Sequence, residues 1–160
     1  MKKTLLLNNK KFIPVSKPFV SSTDIKKVNK SLKEGWISSD GPEVKSFENN
    51  FSKKIKKKYS IAVSNGTAAL EISIKALNIK KNDEVIIPNF TIISNALAVI
   101  RQNAKPVLID CDLKNWNIKI DDIENKINKN TKAILITHIY SFSNDMDKIF
   151  KICKKHNLYL

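Results

Sequence analysis

The residues with the clearest capacity for chemistry are Ser64, Asn65, Gly66 and Thr67, which interrupt an apolar run and lead directly into a helical pattern. A turn of this kind leaves several backbone N–H groups unpaired at the positive end of a helix dipole, where an anion is stabilised. Gly66 lets the backbone approach a ligand oxygen and tolerates a left-handed conformation, Thr67 offers a hydroxyl donor, and Ala68 keeps the first turn uncrowded. The turn predicts a phosphate site, and an ordinary capped turn stays open as the alternative.

Two further segments carry side chains suited to binding. Residues 88–94 form a second turn between a strand pattern and a helical one, where Phe90 and Ile92 face either a ligand or the core and Thr91 caps the helix. Residues 35–42 form a loop with a large aromatic side chain and several hydroxyls, a composition that often binds ligands. For this loop, a helix cap followed by a turn with the aromatic packed down is the alternative.

His138 follows a strand pattern in the sequence THIYS and is the histidine best placed for catalysis. The sequence around it has no serine or cysteine nucleophile motif and no acidic residue at a spacing that would indicate a catalytic pair. A structural or supporting role is therefore the favoured interpretation. His156 ends a lysine-rich helical pattern and is expected to face solvent. No cluster of residues has metal-ligand spacing, so no metal is predicted.

Alternating strand and helix patterns must position these residues. Helical patterns cover roughly residues 22–34, 42–57, 67–77, 91–102, 121–127 and 146–156. Short apolar strand patterns lie near Ile61, Val85, Val107 and Ile134, and another begins near Leu158. This succession predicts an α/β fold with a mostly parallel sheet, helices on both faces, and ligands beyond the strand ends.

Composition limits the class of protein. The chain has 160 residues, a mass of 18.2 kDa and 42% hydrophobic residues, which is enough for one domain with a core. Its net charge of +14 comes almost entirely from lysine, with Arg101 the only arginine, whereas base-reading sites favour arginine. Cys111 and Cys153 lie far apart without a CxxC motif and are expected to be reduced. The lysine-based charge therefore favours no nucleic-acid partner. The apolar run at residues 5–7 is too short for a signal peptide, so we expect no membrane partner and a cytoplasmic location.

Five blocks of the sequence occur in an order and spacing typical of one family. They are GWISSDGPEVKSFENNF at 35–51, VSNGTAAL at 63–70, DEVIIPNFTIISNALAVI at 83–100, AKPVLIDCD at 104–112 and TKAILITHIYSFSNDMDKIFKICKKHNL at 131–158. In these blocks the chain closely resembles the DegT/DnrJ/EryC1/StrS family of pyridoxal phosphate-dependent nucleotide-sugar aminotransferases. The resemblance covers nearly the whole chain from Phe12 onward.

The resemblance implies the N-terminal part of the large domain of a fold-type I enzyme, a single incomplete domain over residues 1–160 that binds pyridoxal 5′-phosphate. It assigns cofactor binding to Asn65, Gly66, Thr67, Ala68 and Ile92. It assigns substrate binding to Trp36, Ser38 and Gly41. Position 92 is commonly aromatic in the family, so isoleucine there implies a loss of ring stacking on the order of 1 kcal/mol.

The resemblance also implies a reaction, the transfer of an amino group, typically from glutamate, to a keto-sugar nucleotide by a homodimer. Perosamine-type sugars of surface polysaccharides are the expected product class. The family's cofactor-binding lysine and the acidic partner of the cofactor nitrogen match positions beyond Leu160, so no catalytic residue is assigned and the 160 residues alone are expected to be inactive. Two alternatives stay open: a sugar 3-dehydratase of the same family, in which histidine replaces the lysine, and a non-catalytic remnant or basic binding module.

Overall fold

The computed structural model describes residues 12–14 and 16–160 of the chain. Residues 1–11, on which the expectation of no signal peptide rests, and residue 15 lie outside the described part. Contacts divide the chain into two compact units, Met1–Ala62 and Val63–Leu160. The single incomplete domain over residues 1–160 stays a prediction.

The first unit is built from two helices, α1 (Ser22–Lys33) and α2 (Pro42–Lys54). At the start of α1, Ser21 and Asp24 form a reciprocal capping box, in which each side chain accepts from the other's backbone N–H. Helix α1 thus begins at residue 22, where the helical pattern of the sequence begins. Helix α2 begins with Pro42, whose missing N–H costs nothing at that position, and it ends three residues before its predicted end at 57.

The strand predicted near Ile61 is not present in the structure, which is a correction to the sequence analysis. The backbone N–H of Ala62 donates to Glu48 Oε1 at 2.8 Å, and the Ser60 hydroxyl donates to the Glu48 main-chain oxygen at 2.5 Å. Ile61 itself is 78% exposed. A strand is stable only when a neighbouring strand takes up its hydrogen bonds, and this segment bonds to α2 instead.

The second unit contains a parallel sheet of three strands in the order β2-β1-β3. The strands are β1 (Glu84–Pro88), β2 (Lys105–Ile109) and β3 (Thr131–Ile134). The helices of this unit are α3 (Gly66–Ala76), α4 (Ser94–Ile100) and α5 (Met146–His156). Where the sequence predicts a strand beginning near residue 158, Tyr159 makes an isolated parallel bridge to Ala133 of β3.

Side chains of β1 alternate between two hydrophobic cores. Val85 and Ile87 belong to the core formed with α3 and α4, whereas Ile86 belongs to the core formed with Ile149 and Cys153 of α5. Every residue of β1 is buried, as expected for a central strand covered on both faces. The predicted α/β fold with a mostly parallel sheet and helices on both faces is confirmed.

Two predicted helices differ from the structure. The helix expected over residues 91–102 begins only at Ser94, because the preceding residues complete the turn that follows β1. The helix expected over residues 121–127 is replaced by two 3-10 turns, Ile120–Asp122 and Glu124–Lys126. So short a segment, interrupted by β-branched isoleucine, cannot readily nucleate an α-helix.

Candidate functional site

The predicted phosphate turn forms the start of α3. Asn65 is the N-cap, because its Oδ1 accepts from Ala68 N at 2.9 Å and its main-chain oxygen accepts from Ala69 N at 3.1 Å. Within the described residues, no acceptor contacts the backbone N–H of Gly66 or Thr67. These donors lie at the positive end of an 11-residue helix whose first turn carries no acidic residue. The turn therefore has the features of an anion site.

Gly66 keeps space open above these N–H groups. It is the first residue of α3 and does not have the left-handed backbone that the sequence analysis allowed for. A Cβ atom built on Gly66 meets no described atom within 4 Å. Within the described residues, nothing near Gly66 would crowd a side chain at this position.

A hydrogen bond joins the phosphate turn to the second polar turn. Thr67 Oγ1 and Ser94 Oγ, the latter at the start of α4, are 2.9 Å apart. Ile92, two residues before Ser94, is 65% exposed and lines a cavity of about 400 Å³. Phe90 lines the same cavity and is 42% exposed, so the alternative that places Phe90 and Ile92 in the core is wrong. Thr67 and Ile92 thus lie at the same end of the sheet.

The cavity lies beyond the carboxyl ends of β1 and β3. Its lining consists of Phe90, Thr91, Ile92, Thr137, His138, Ile139 and Tyr140. Phe90 also packs against Trp116, with ring centroids 5.3 Å apart and ring planes at 48°. A cavity of this size, lined by rings, aliphatic side chains and a few polar groups, suits a small organic ligand.

Three polar side chains form a hydrogen-bonded cluster at the wall of the cavity. Thr91 Oγ1 donates to Thr137 Oγ1 at 3.0 Å, and Asn95 Nδ2 lies 3.0 Å from Thr91 Oγ1 and 2.7 Å from Thr137 Oγ1. Asn95 is 3% exposed, so these bonds satisfy a buried amide. The cluster ties the segment after β1 to the segment after β3.

Two buried asparagines that the sequence analysis did not single out hold the loop after β3. Asn117 Oδ1 accepts from Ile139 N at 3.1 Å, and its Nδ2 donates to the Phe142 oxygen at 3.0 Å. Asn144 Nδ2 donates to the Thr137 oxygen at 2.9 Å. Asparagine is usually an exposed turn residue, so residue type did not indicate that these two are buried. The available sequence signal for a place near the site was that each follows a strand within about ten residues.

His138 is exposed and lines the cavity, and its supporting role stays a prediction. Its Nδ1 accepts from the backbone N–H of Asn144 at 3.1 Å. His156, the other histidine, is half-buried, and its Nε2 lies 2.8 Å from Glu124 Oε1. The hydrogen bonds to Glu124, first from Lys155 and then from His156, lower the pKa of that carboxyl.

The predicted substrate residues lie in the first unit, in the loop between α1 and α2. Gly41 is buried beside Trp36, and a Cβ built on Gly41 would lie 3.4 Å from Trp36 Cβ. Trp36 is 45% exposed, so its ring is packed on one side only. Ser38 Oγ accepts from Asp40 N at 3.5 Å. The structure brings Trp36 and Gly41 together, and the binding of substrate by this loop stays a prediction.

Two further kinds of feature are absent from the described residues. Over residues 12–14 and 16–160, no group of three or more histidine, cysteine, aspartate or glutamate side chains is arranged to hold a metal ion. None of the helices found in the same part of the chain combines the length and apolar character needed to cross a membrane.

The parallel sheet with helices on both faces defines an α/β protein, and the helix N-terminus at Gly66 and the cavity at Ile92 form its candidate site. Comparison of the sequence with protein families makes the assignment specific. The model of the DegT/DnrJ/EryC1/StrS aminotransferase family matches residues 19–160, and the chain belongs to this family.

Individual relatives agree with this assignment. GDP-perosamine synthase of Escherichia coli O157:H7 is 39% identical over 150 residues, which are 94% of this chain and 41% of the relative. The structure of an aminotransferase from Psychrobacter cryohalolentis has a TM-score of 0.82 and 33% identity, covering 91% of this chain and 38% of that one. The structure of the E. coli GDP-4-keto-6-deoxy-D-mannose-3-dehydratase with bound hydrated PLP has a TM-score of 0.82 and 26% identity. The match covers 91% of this chain and 39% of that one. The chain thus spans about two fifths of the length of these relatives.

Proposed function

We propose that this chain forms the cofactor phosphate site of a pyridoxal phosphate-dependent sugar aminotransferase. The observation that carries the proposal is the pair of N–H groups on Gly66 and Thr67 that lack an acceptor among the described residues. Thr67 is hydrogen-bonded to Ser94, two residues after Ile92 of the cavity wall. Open space above Gly66 fits a phosphate group, and the apolar cavity fits the ring to which that phosphate is attached.

Each of the proposed cofactor residues has a distinct role. The N–H groups of Gly66 and Thr67 donate to phosphate oxygens, and the side chain of Asn65 holds the turn in shape through Ala68. Ile92 covers one face of the ring and excludes water from it. When bound, the cofactor supplies an electron sink for reactions at the amino-bearing carbon.

The family and its relatives support a reaction class for the proposal. We propose amino transfer, with glutamate as donor, to a nucleotide-linked keto-sugar, with a perosamine-type product in polysaccharide biosynthesis. The relative named GDP-perosamine synthase supports this choice. Trp36, Ser38 and Gly41 are the proposed substrate contacts. Action as a homodimer and a cytoplasmic location are also part of the proposal.

The sugar 3-dehydratase alternative stays open because the E. coli dehydratase has the same TM-score, 0.82, as the aminotransferase from Psychrobacter cryohalolentis, although its identity is lower. The two reactions differ in their product. An aminotransferase leaves the nitrogen of glutamate on the sugar, whereas a 3-dehydratase removes a sugar hydroxyl group and leaves no nitrogen there. Mass spectrometry of a nucleotide-linked 4-keto-6-deoxy sugar after incubation with ¹⁵N-glutamate distinguishes them, because only the aminotransferase product carries the label.

Binding of pyridoxamine 5′-phosphate to this chain tests the cofactor site directly. This form of the cofactor has no aldehyde, so it cannot form Schiff bases with the many surface lysines. We expect calorimetry to show saturable binding, and much weaker binding of pyridoxamine, which lacks the phosphate. A chain that binds heparin but not pyridoxamine 5′-phosphate would instead support the basic binding module.

Gly66→Val is the sharpest variant for this site. The new side chain would occupy the open space above the N–H groups, so affinity for pyridoxamine 5′-phosphate should fall at least about tenfold, or 1.4 kcal/mol. Ala76→Val is the matched control, because it adds the same β-branched side chain to an exposed position at the other end of α3. Equal affinities of the two variants would contradict the phosphate site.

A further inference from the structure

The loop after β3 has a backbone conformation that its sequence does not favour. Tyr140 and Ser141 have φ angles of 47° and 69°, in the left-handed region that residues with a Cβ rarely adopt. The Asn117 amide fixes both sides of this bend by bonding to Ile139 N and to the Phe142 oxygen. Strained conformations that buried groups hold in place are concentrated at functional sites.

The orientation of the Asn144 amide is also determined by its surroundings. Its Nδ2 lies 2.9 Å from the Thr137 oxygen and 3.1 Å from His138 Nδ1, so a flipped amide would place two oxygens against each other. In this orientation Asn144 Oδ1 is buried and has no hydrogen-bond donor among the described residues. The side chain, 6% exposed, is therefore oriented for His138 and Thr137 at the cost of an unsatisfied acceptor.

These contacts determine which nitrogen of the His138 ring carries the proton. Both the backbone N–H and the side-chain Nδ2 of Asn144 lie 3.1 Å from His138 Nδ1, which must accept because both partners are donors. A neutral imidazole that accepts at Nδ1 carries its proton on Nε2. Among the described residues, no side chain or backbone group bonds to His138 Nε2, and the ring lines the cavity.

We propose that Asn144 is a positioning residue that fixes His138 as the Nε2–H tautomer. His138 then offers one hydrogen-bond donor to an oxygen of the group bound in the cavity. The identity of that group rests on the proposed function, in which it is the pyridoxal phosphate cofactor. The tautomer itself is a property of the free chain and does not depend on any ligand.

The first test measures the tautomer of His138 in the free chain by ¹⁵N–¹H correlation spectra of the imidazole rings. The chain contains only two histidines, so the variant His156→Gln leaves a single ring to assign. The spectra are recorded at a pH of about 8.5, since only a neutral ring has distinct tautomers. We expect the Nε2–H form to predominate. A predominant Nδ1–H form would overturn the proposal.

Asn144→Asp tests the positioning role. The new carboxylate replaces a donor by an acceptor beside Nδ1, so the Nδ1–H population should rise severalfold. Asn130→Asp makes the same substitution at an exposed turn residue of the second unit and should leave the tautomer unchanged. If Asn144→Asp does not fold, Asn144→Ala is used instead; it removes the side-chain donor and keeps the backbone donor, so the Nδ1–H population should still rise measurably, but less than in Asn144→Asp. An unchanged tautomer in the folded variant would refute the role of Asn144.

Calorimetry with pyridoxamine 5′-phosphate tests the donor role of His138. His138→Ala should bind about three- to tenfold more weakly, and His138→Gln, which keeps a side-chain donor, should recover part of that loss. Equal affinity of His138→Ala and the wild type would overturn the donor role. A wild-type chain that does not bind the compound would refute the proposed function, whereas the spectra would still decide the tautomer.

Discussion

At the scale of the residue, Asn65 combines two tasks that can be separated. Its Oδ1 caps α3 through Ala68 N, and its position places it beside the free N–H groups of Gly66 and Thr67. A cap needs only a side-chain acceptor, which asparagine and aspartate both provide. An anion site, in contrast, cannot tolerate a negative charge next to the ligand.

Asn65→Asp is therefore expected to affect stability and binding differently. The carboxylate still caps α3 and interacts favourably with the helix dipole, so the free energy of unfolding should be maintained or rise slightly. Repulsion of the phosphate should weaken pyridoxamine 5′-phosphate binding on the order of tenfold. Urea unfolding and calorimetry on the same preparation check both parts. Maintained stability together with unchanged affinity would show that Asn65 is only a cap.

The site residues differ in how far sequence could predict them. Asn65 and Thr67 were accessible because a helix cap and its free N–H groups arise within one turn of the chain. Asn117 was not, because it bonds to Ile139 and Phe142, 22 and 25 residues away. Such contacts exist only after the strand ends have come together, and residue type alone does not report them.

At the scale of the element, burial on both faces of β1 determines how the sheet is stabilised. Ile86 is fully buried in one core, and its neighbours Val85 and Ile87 are buried in the other. The strand patterns at β1, β2 and β3 were predictable because short apolar runs bounded by turns are typical of parallel strands. The pattern near Ile61 looked similar but lacks a partner strand, which local sequence cannot reveal.

Ile86→Ala should reduce the free energy of unfolding by about 2–5 kcal/mol, because it removes buried methyl groups and leaves a cavity. The matched control is Leu108→Ala in β2, where the side chain is 53% exposed and the loss should be much smaller. Denaturant unfolding of both variants measures the difference. Equal losses would mean that Ile86 is not a core residue.

At the scale of the whole molecule, the two cysteines of the second unit differ in burial. Cys153 is 5% exposed in the core beneath α5, whereas Cys111 is half-buried. Burial raises the pKa of the Cys153 thiol, which lowers its thiolate fraction at neutral pH. Reaction of Cys153 therefore requires opening of the core.

We expect a thiol-specific reagent at neutral pH to modify Cys111 at least about tenfold faster than Cys153. Mass spectrometry of the digested chain at successive times locates the label on each residue. Mild denaturant should bring the two rates together, since opening the core exposes Cys153. Equal rates in the absence of denaturant would contradict the packing of α5 on the sheet.

The strand order β2-β1-β3 also has a consequence for synthesis of the chain. Both neighbours of β1 follow it in the sequence, so the ribosome releases the centre of the sheet before either flanking strand. The second edge of β1 stays unpaired until residues 131–134 have emerged. During that interval an apolar strand with an open edge is exposed to pairing with other nascent chains, and β3 removes that hazard when it docks.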